Sequence, residues 1–111
     1  LLLELNSNVE LKIVRDDFFL SADAEEELLA ISRELLRNSI KHSGASVIEV
    51  TIEKSDTGID YTYRDNGKGM NNNKSVGFGT RGIQERCSSI NGTLTMTSTT
   101  LGVSYLITLP S

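Results

Sequence analysis

The sequence is poor in the residues that build metal centres and covalent cross-links. Its one cysteine, Cys87, excludes an internal disulfide framework and any cysteine-cluster metal site. Its one histidine, His42, excludes a histidine-rich centre. Apolar runs are short: the opening Leu1-Leu2-Leu3 meets Glu4 at once, and nothing is long enough to span a bilayer. No signal-peptide layout is present. Positive charge is scarce, with 11 Lys and Arg against 15 Asp and Glu and a net charge of -4, so a broad nucleic-acid-binding face is not expected. A small anion can still bind, but through a local arrangement of donors. What is present is globular: 38% hydrophobic and 23% charged residues in 111, which fits one domain over residues 1–111. A chain of this size buries roughly two-thirds of its unfolded surface, enough for one core. It does not begin with Met, so a fragment of a longer protein is expected.

Hydrophobic periodicity divides the chain into seven elements. Val9, Leu11 and Ile13 alternate with Glu10 and Lys12, the pattern of a half-buried strand. Ser21 is a helix N-cap, and Asp23, Glu25, Glu26 and Glu27 place negative charge where the helix dipole favours it. That helix is expected to reach about His42, with Ser43-Gly44 as its stop. Ile48, Val50 and Ile52 mark a second strand, Asp56-Thr57-Gly58 a turn, and Ile59, Tyr61 and Tyr63 the returning strand. Asp65 to Val76 is polar and glycine-rich, a loop. A short helix from about Thr80 carries Ile83, Cys87 and Ile90, and Asn91-Gly92 ends it. Leu94 and Met96 begin a strand, a turn falls near Gly102, and Val103, Tyr105, Ile107 and Leu109 alternate to the end. Hairpin-length connections make most of the sheet antiparallel, with helices covering one face. The fold class is α+β, a two-layer α/β sandwich with a mixed, mostly antiparallel sheet.

On a wheel at 100° per residue, Leu28, Leu29, Ile31, Leu35, Leu36 and Ile40 of the long helix fill one broad arc, the expected core face. Ala30, Arg33 and Arg37 fall opposite. Glu34, Asn38, Lys41 and His42 lie at i, i+4, i+7 and i+8 along one shoulder of that arc. Such a band is an ordinary amphipathic boundary, or it aims a carboxylate, an amide, an amine and an imidazole into a pocket beside the core. Those groups can supply a general base, an oxygen ligand for a hard cation and two phosphate donors. The helix alone leaves both open.

Of the nine glycines, Gly67, Gly69, Gly77, Gly79 and Gly82 cluster between positions 67 and 82, where average usage puts about one. Such a segment needs unusual backbone angles or close approach of main chain to a ligand. Gly77-Phe-Gly-Thr-Arg-Gly82 is formally a G-x-G-x-x-G, but it follows the polar stretch Asn71 to Ser75 instead of a strand, so the dinucleotide-binding context is missing. It does open a helix, whose N-terminal N–H groups form an anion site. No P-loop pattern occurs. Either stretch alone is equally explained by two turns.

Taken in order, Glu34-Leu-Leu-Arg-Asn38-Ser-Ile-Lys41-His42, then Asp65-Asn-Gly67-Lys-Gly69, then Gly77-Phe-Gly79-Thr-Arg-Gly82 resemble the asparagine box and two glycine boxes of the gyrase, chaperone, histidine kinase and mismatch-repair ATPase superfamily. The Asn-x-x-Lys-His ending points within it to the ATP-binding catalytic domain of bacterial sensor histidine kinases. The short stretch between the glycine boxes resembles the subgroup partnering helix-turn-helix response regulators. The resemblance runs from about Val9 to Pro110 and implies an ATP-binding fold of the Bergerat type. It implies Asn38 as the ligand of the Mg2+ that bridges ATP phosphates, with Lys41 and His42 touching or lying beside those phosphates. Asp65 would accept a hydrogen bond from the adenine amino group, with Gly67 and Gly69 passing close to the purine. Gly77, Gly79, Thr80 and Gly82 would hold the phosphates at the lid's end and helix start, and Glu34 would be the acidic residue near the γ-phosphate.

The activity so implied is protein histidine kinase chemistry, phosphoryl transfer by positioning and charge neutralisation. The acceptor would be a histidine on a separate dimerisation domain of the same parent protein, with a response regulator receiving the phosphate next. His42 suits the pocket better than the acceptor role. The isolated domain is expected to be monomeric and cytoplasmic, its parent open to membrane anchoring. One position departs from the pattern: Gly102-Val103 stands where the resemblance implies Gly-Thr, so somewhat weaker adenine binding is expected. Cys87 is expected in the core, and Tyr61 and Tyr63 in sheet packing. Two rivals share the boxes or the fold: an anti-sigma-factor serine kinase, against which Lys41-His42 argues, and a nucleotide-binding regulatory module without transfer activity.

Overall fold

A computed structural model describes residues 9–16, 19–40, 44–56, 58–67, 80–100 and 102–110, with residues 80 and 81 described by their backbone alone. The elements run β1 (Glu10–Arg15), α1 (Ala22–Asn38), β2 (Val47–Ser55), β3 (Gly58–Asp65), α2 (Thr80–Ser89), β4 (Thr93–Thr99) and β5 (Gly102–Pro110). They form a five-stranded sheet in the order β1-β2-β3-β5-β4. β1 pairs with β2 in parallel, which requires the α1 crossover between them, and every other pairing is antiparallel. The expected two-layer α+β architecture is the one observed.

Ser21 caps α1 by accepting a 3.1 Å hydrogen bond from the Ala24 N–H. At the other end the helix widens into a π-turn over residues 39–40, and Gly44 at φ +64° supplies the left-handed residue of the connection to β2. Lys41 and His42, over which the helix was expected to run on, and Ser43 of its expected stop lie outside the described residues.

The core lies between α1, α2 and the inner face of the sheet. Leu28, Ile31, Leu35 and Leu36 of α1 and Ile83 and Cys87 of α2 meet Ile48, Val50, Ile59, Tyr61, Tyr63, Tyr105, Ile107 and Leu109. Tyr63 and Tyr105 pack edge to face with ring centroids 6.0 Å apart, a favourable quadrupole arrangement. Burial holds the Tyr61 and Tyr105 phenols up at about 12, from an ordinary 10.0. The tyrosines are thus sheet and core residues, and Cys87 is a buried apolar contact whose thiol burial pushes up.

Two residues depart from the wheel and strand patterns. Leu29, at the margin of the apolar arc, is 36% exposed, and Ile13 on β1 is 48% exposed. Both line a hollow of about 690 Å³ between β1 and the first half of α1. The physical reason is placement: α1 lays its central stripe over β2 and β3, so the edge strand and the outer margin of the arc are left uncovered.

Candidate functional site

Asp65 was expected to open a loop. The structure makes it the last residue of β3, and this changes what its side chain can do. Successive strand residues face opposite sides, so Ile59, Tyr61, Tyr63 and Asp65 share the inner face. A carboxylate therefore ends a row of core positions and is only 7% exposed. Burying an ionisable group this deeply demands hydrogen-bond partners. Gly67 N–H and Val103 N–H donate to its Oδ1 at 3.1 and 3.2 Å, and Ser39 Oγ donates to its Oδ2 at 2.5 Å.

Each of those donors comes from a different element. Gly67 is two residues on, in the turn that leaves β3. Val103 sits directly opposite Asp65 in the β3–β5 ladder. Its neighbour Gly102 has φ +143°, and a Cβ there would overlap the Asp65 carbonyl oxygen, so only glycine lets β5 begin this close to the end of β3. Ser39 ends α1, immediately after Asn38. Its Oγ also lies 2.6 Å from the Tyr63 hydroxyl, which is in turn 3.0 Å from the Leu35 carbonyl oxygen. Burial raises the Tyr63 phenol well above the usual tyrosine range, and the nearby Asp65 charge adds to the rise, so it is protonated and can donate at neutral pH.

The residue after Asp65 is held by its own side chain. Asn66 Oδ1 accepts from the Ser46 and Val47 N–H groups at 2.9 Å each, and its Nδ2 donates to Ser46 Oγ at 3.0 Å. These bonds tie the turn after Asp65 to the start of β2. Asn66 and Ser39 were both missed as site residues. For Ser39 the signal was available, since Ser32 and Ser39 lie seven apart in the middle of the apolar arc of α1, where a serine needs a buried partner. Ser32 finds Tyr61 at 2.6 Å, as Ser39 finds Tyr63.

Asn38 occupies the last turn of α1, half-buried, next to this network. Its amide nitrogen is buried with no partner among the described residues. The unpartnered amide is a group a ligand can satisfy, and of its two atoms a hard cation takes the oxygen. No group of three or more His, Cys, Asp or Glu among the described residues can hold a metal ion. The donor set fits a Mg2+ that keeps most of its coordination from water and phosphate and takes one oxygen from the protein.

Glu34, one turn earlier, lines a cleft of about 460 Å³ together with Ala30, Arg33, Arg37, Gly82, Ile83 and Arg86. Arg37 Nη1 bonds its Oε1 at 3.2 Å, and Arg86 is engaged by Glu27 at 3.0 Å. Gly82 lies in the first turn of α2, where no described atom stands within 4 Å of the position a Cβ would take. Packing against the described residues does not require glycine there. Thr80 opens α2, whose first-turn N–H groups have no partner within the helix and can serve an anion. Lys41, His42, Gly69, Gly77 and Gly79 lie outside the described residues. The structure thus brings Asn38, Asp65 and Gly67 to one end of the sheet and sets Glu34 and Gly82 together in a neighbouring cleft.

This constellation on this fold defines a recognisable class. Residues 23–111 match the family described as histidine kinase-, DNA gyrase B-, and HSP90-like ATPase, and the chain belongs to that family. Among curated proteins it is 28% identical over 102 residues to the sensor protein VraS of Staphylococcus aureus, covering 88% of this chain and 29% of VraS. It is 39% identical over 67 residues to the nitrate/nitrite sensor protein NarX of Escherichia coli, covering 59% of this chain and 11% of NarX. The chain therefore spans less than a third of the length of these relatives. Among solved structures, the histidine kinase domain of a blue-light-activated kinase from Erythrobacter litoralis superposes with a TM-score of 0.82 at 15% identity, covering 95% of this chain and 56% of that one. The ATP-binding domain of PrrB from Mycobacterium tuberculosis gives 0.79 at 18% identity, covering 96% and 82%. The two structures share the fold with this chain.

Proposed function

We propose that this chain is the ATP-binding catalytic domain of a sensor histidine kinase, which binds Mg-ATP for transfer of the γ-phosphate to a histidine on a separate dimerisation and phosphoacceptor domain of its parent protein. A response regulator would receive the phosphate next. The observation that carries this reading is the buried Asp65 carboxylate, held by Gly67, Val103 and Ser39 at the sheet end beside Asn38. A carboxylate that is fixed, sealed from bulk water and acceptor-only when ionised suits a base-reading contact to an exocyclic amino group.

On this reading Asp65 accepts from the adenine amino group, and the glycines at 67 and 69 let the main chain lie against the purine. Asn38 offers its side-chain oxygen to the cation, which when bound neutralises phosphate charge and orients the transferred group. The α2 N-terminus, with Gly77, Gly79, Thr80 and Gly82, holds phosphate oxygens through main-chain N–H groups. Lys41 and His42 supply positive charge and a donor beside them. Glu34 polarises the incoming histidine from the cleft, where Arg37 lies 3.2 Å from its carboxylate. No helix among the described residues is long and apolar enough to cross a membrane. The use of ATP supports a cytoplasmic domain, whose parent is open to membrane anchoring.

Calorimetric titration with ATP, with and without magnesium, tests the binding. Saturable, magnesium-dependent binding that collapses in Asp65→Asn supports the site, and a folded wild type that binds no ATP removes it. Adding a cognate histidine domain with labelled ATP then separates kinase from module. Label on histidine supports transfer, and binding without label supports a regulatory nucleotide-binding domain.

A further inference from the structure

We infer that Ser39 and Tyr63 form a hydroxyl relay that sets the plane of the Asp65 carboxylate, which makes Ser39 a positioning residue for purine selectivity; this rests on the nucleotide-binding reading above. The argument follows from counting protons. Ser39 has one hydroxyl proton, and at 2.5 Å from Asp65 Oδ2 that proton is committed to an acceptor-only group. Tyr63 also has one, with two acceptors in reach: Ser39 Oγ at 2.6 Å and the Leu35 carbonyl at 3.0 Å. The Leu35 carbonyl already receives the Ser39 backbone N–H. Each of the two short contacts, Ser39 to Asp65 and Tyr63 to Ser39, needs a proton between its oxygens, so Ser39 donates to Asp65 and Tyr63 to Ser39, with the longer 3.0 Å approach to the Leu35 carbonyl taking the weaker share of the Tyr63 proton. Each donation strengthens the next in a site shielded from water.

The two oxygens of Asp65 are held differently. Oδ1 is fixed by main-chain N–H groups that no side-chain change can remove. Oδ2 receives a side-chain donor from the end of α1, the Ser39 hydroxyl. Position 103, directly across the ladder, contributes an N–H and carries an apolar side chain. The carboxylate orientation about its Cβ–Cγ bond is thus set on one side by the sheet and on the other by one serine. A group that reads a 6-amino donor must present a lone pair along a fixed direction. Loosening Oδ2 should therefore cost recognition of the amino group selectively and leave contacts to the ribose and phosphates intact.

The test is calorimetric affinity for Mg-ATP and Mg-ITP, which differ in the 6-amino group that inosine replaces with a carbonyl. Ser39→Ala is expected to weaken ATP by about tenfold and ITP by much less, which narrows the preference. Ser39→Thr, which keeps the hydroxyl, should retain the wild-type preference. Tyr63→Phe, which keeps the ring packing, should lose about threefold for ATP through the weakened relay. Should Ser39→Ala fold poorly by thermal melting, Tyr63→Phe and Ser39→Thr still decide the matter. Equal loss for both nucleotides, or an unchanged preference in Ser39→Ala and Tyr63→Phe, overturns the relay. Asp65→Asn separates the two levels: if it keeps the ATP preference, the nucleotide reading falls, and if it abolishes the preference while Ser39→Ala does not, the relay alone falls.

Discussion

The two ends of the candidate site are built on opposite terms. Around Asp65 the polar groups are buried, come from α1, β3 and β5, and are bonded to one another by Ser39, Gly67 and Val103. Around Glu34 the charges face solvent, come from α1 and α2, and pair along the surface, as Arg37 does with Glu34. A buried polar group tied down by several bonds has one favoured orientation, because turning it leaves donors or acceptors without partners. An exposed ion pair can exchange partners with water at little cost. The first end is therefore suited to recognising one shape of ligand, and the second to accepting charged groups that arrive and leave.

The largest effect should come from the sealed end. Asp65→Asn keeps the shape but removes the charge and turns one oxygen into a donor that meets Ser39. ATP affinity measured by calorimetry should fall by at least about 100-fold, with the melting transition retained. A fall of less than tenfold would mean that the carboxylate does not read the base.

Stability at alkaline pH tests the same sealed interior. Tyr61 and Tyr105 are each held at about 12 in the folded protein against an ordinary 10.0, with burial the main cause. A pKa raised on folding means that the native state holds its protons longer than the unfolded chain. Their contribution is fully present below about pH 10 and is lost as pH rises through about 12, roughly 3 kcal/mol for each phenol. Chemical denaturation should show stability flat with respect to these groups near neutrality and falling steeply above pH 10. The Tyr61→Phe variant should fall less steeply.

Gly82 probes the open end. With no described atom near a Cβ, Gly82→Ala should raise stability by about 1 kcal/mol through helix propensity. If the glycine serves approach to phosphate, ATP affinity falls in the same variant. A gain in stability with affinity unchanged would remove Gly82 from the site. Val103→Thr, which places a hydroxyl opposite Asp65, was expected from the sequence pattern to strengthen adenine binding. With Ser39 already donating to Oδ2, the gain should be no more than about threefold. The smallest effect belongs to Arg37→Ala. Its surface pair with Glu34 is worth less than about 0.5 kcal/mol, so melting should hardly move, and a larger shift would show that the open end is less solvated than its exposure implies.

Much of this was legible along the chain. The Ser21 cap, the alternating strands and the apolar stripe of α1 are local patterns whose period is set by backbone geometry, so the order of elements could be read directly. The boxes containing Asn38, Asp65 and Gly67 were legible because residue type and spacing carry the chemistry. Leu29 was misplaced because a wheel ranks residues by angle and cannot say where the partner sheet ends. Asp65 was read as a loop residue because a carboxylate before Asn-Gly looks like a turn. The alternation through Ile59, Tyr61 and Tyr63 nevertheless continued to it and placed it inward.

The sequence by itself determined the α+β class, the polar shoulder of α1 and the candidate residues of the proposed nucleotide site, since each follows from local period or from side-chain chemistry. Only the tertiary structure decided that Ser39 donates to Asp65, that Val103 lends its N–H, and that Asn66 ties the turn to β2. Those bonds join residues 26, 38 and 20 positions apart. Their existence depends on strand register and on where α1 ends over the sheet, neither of which any single segment specifies.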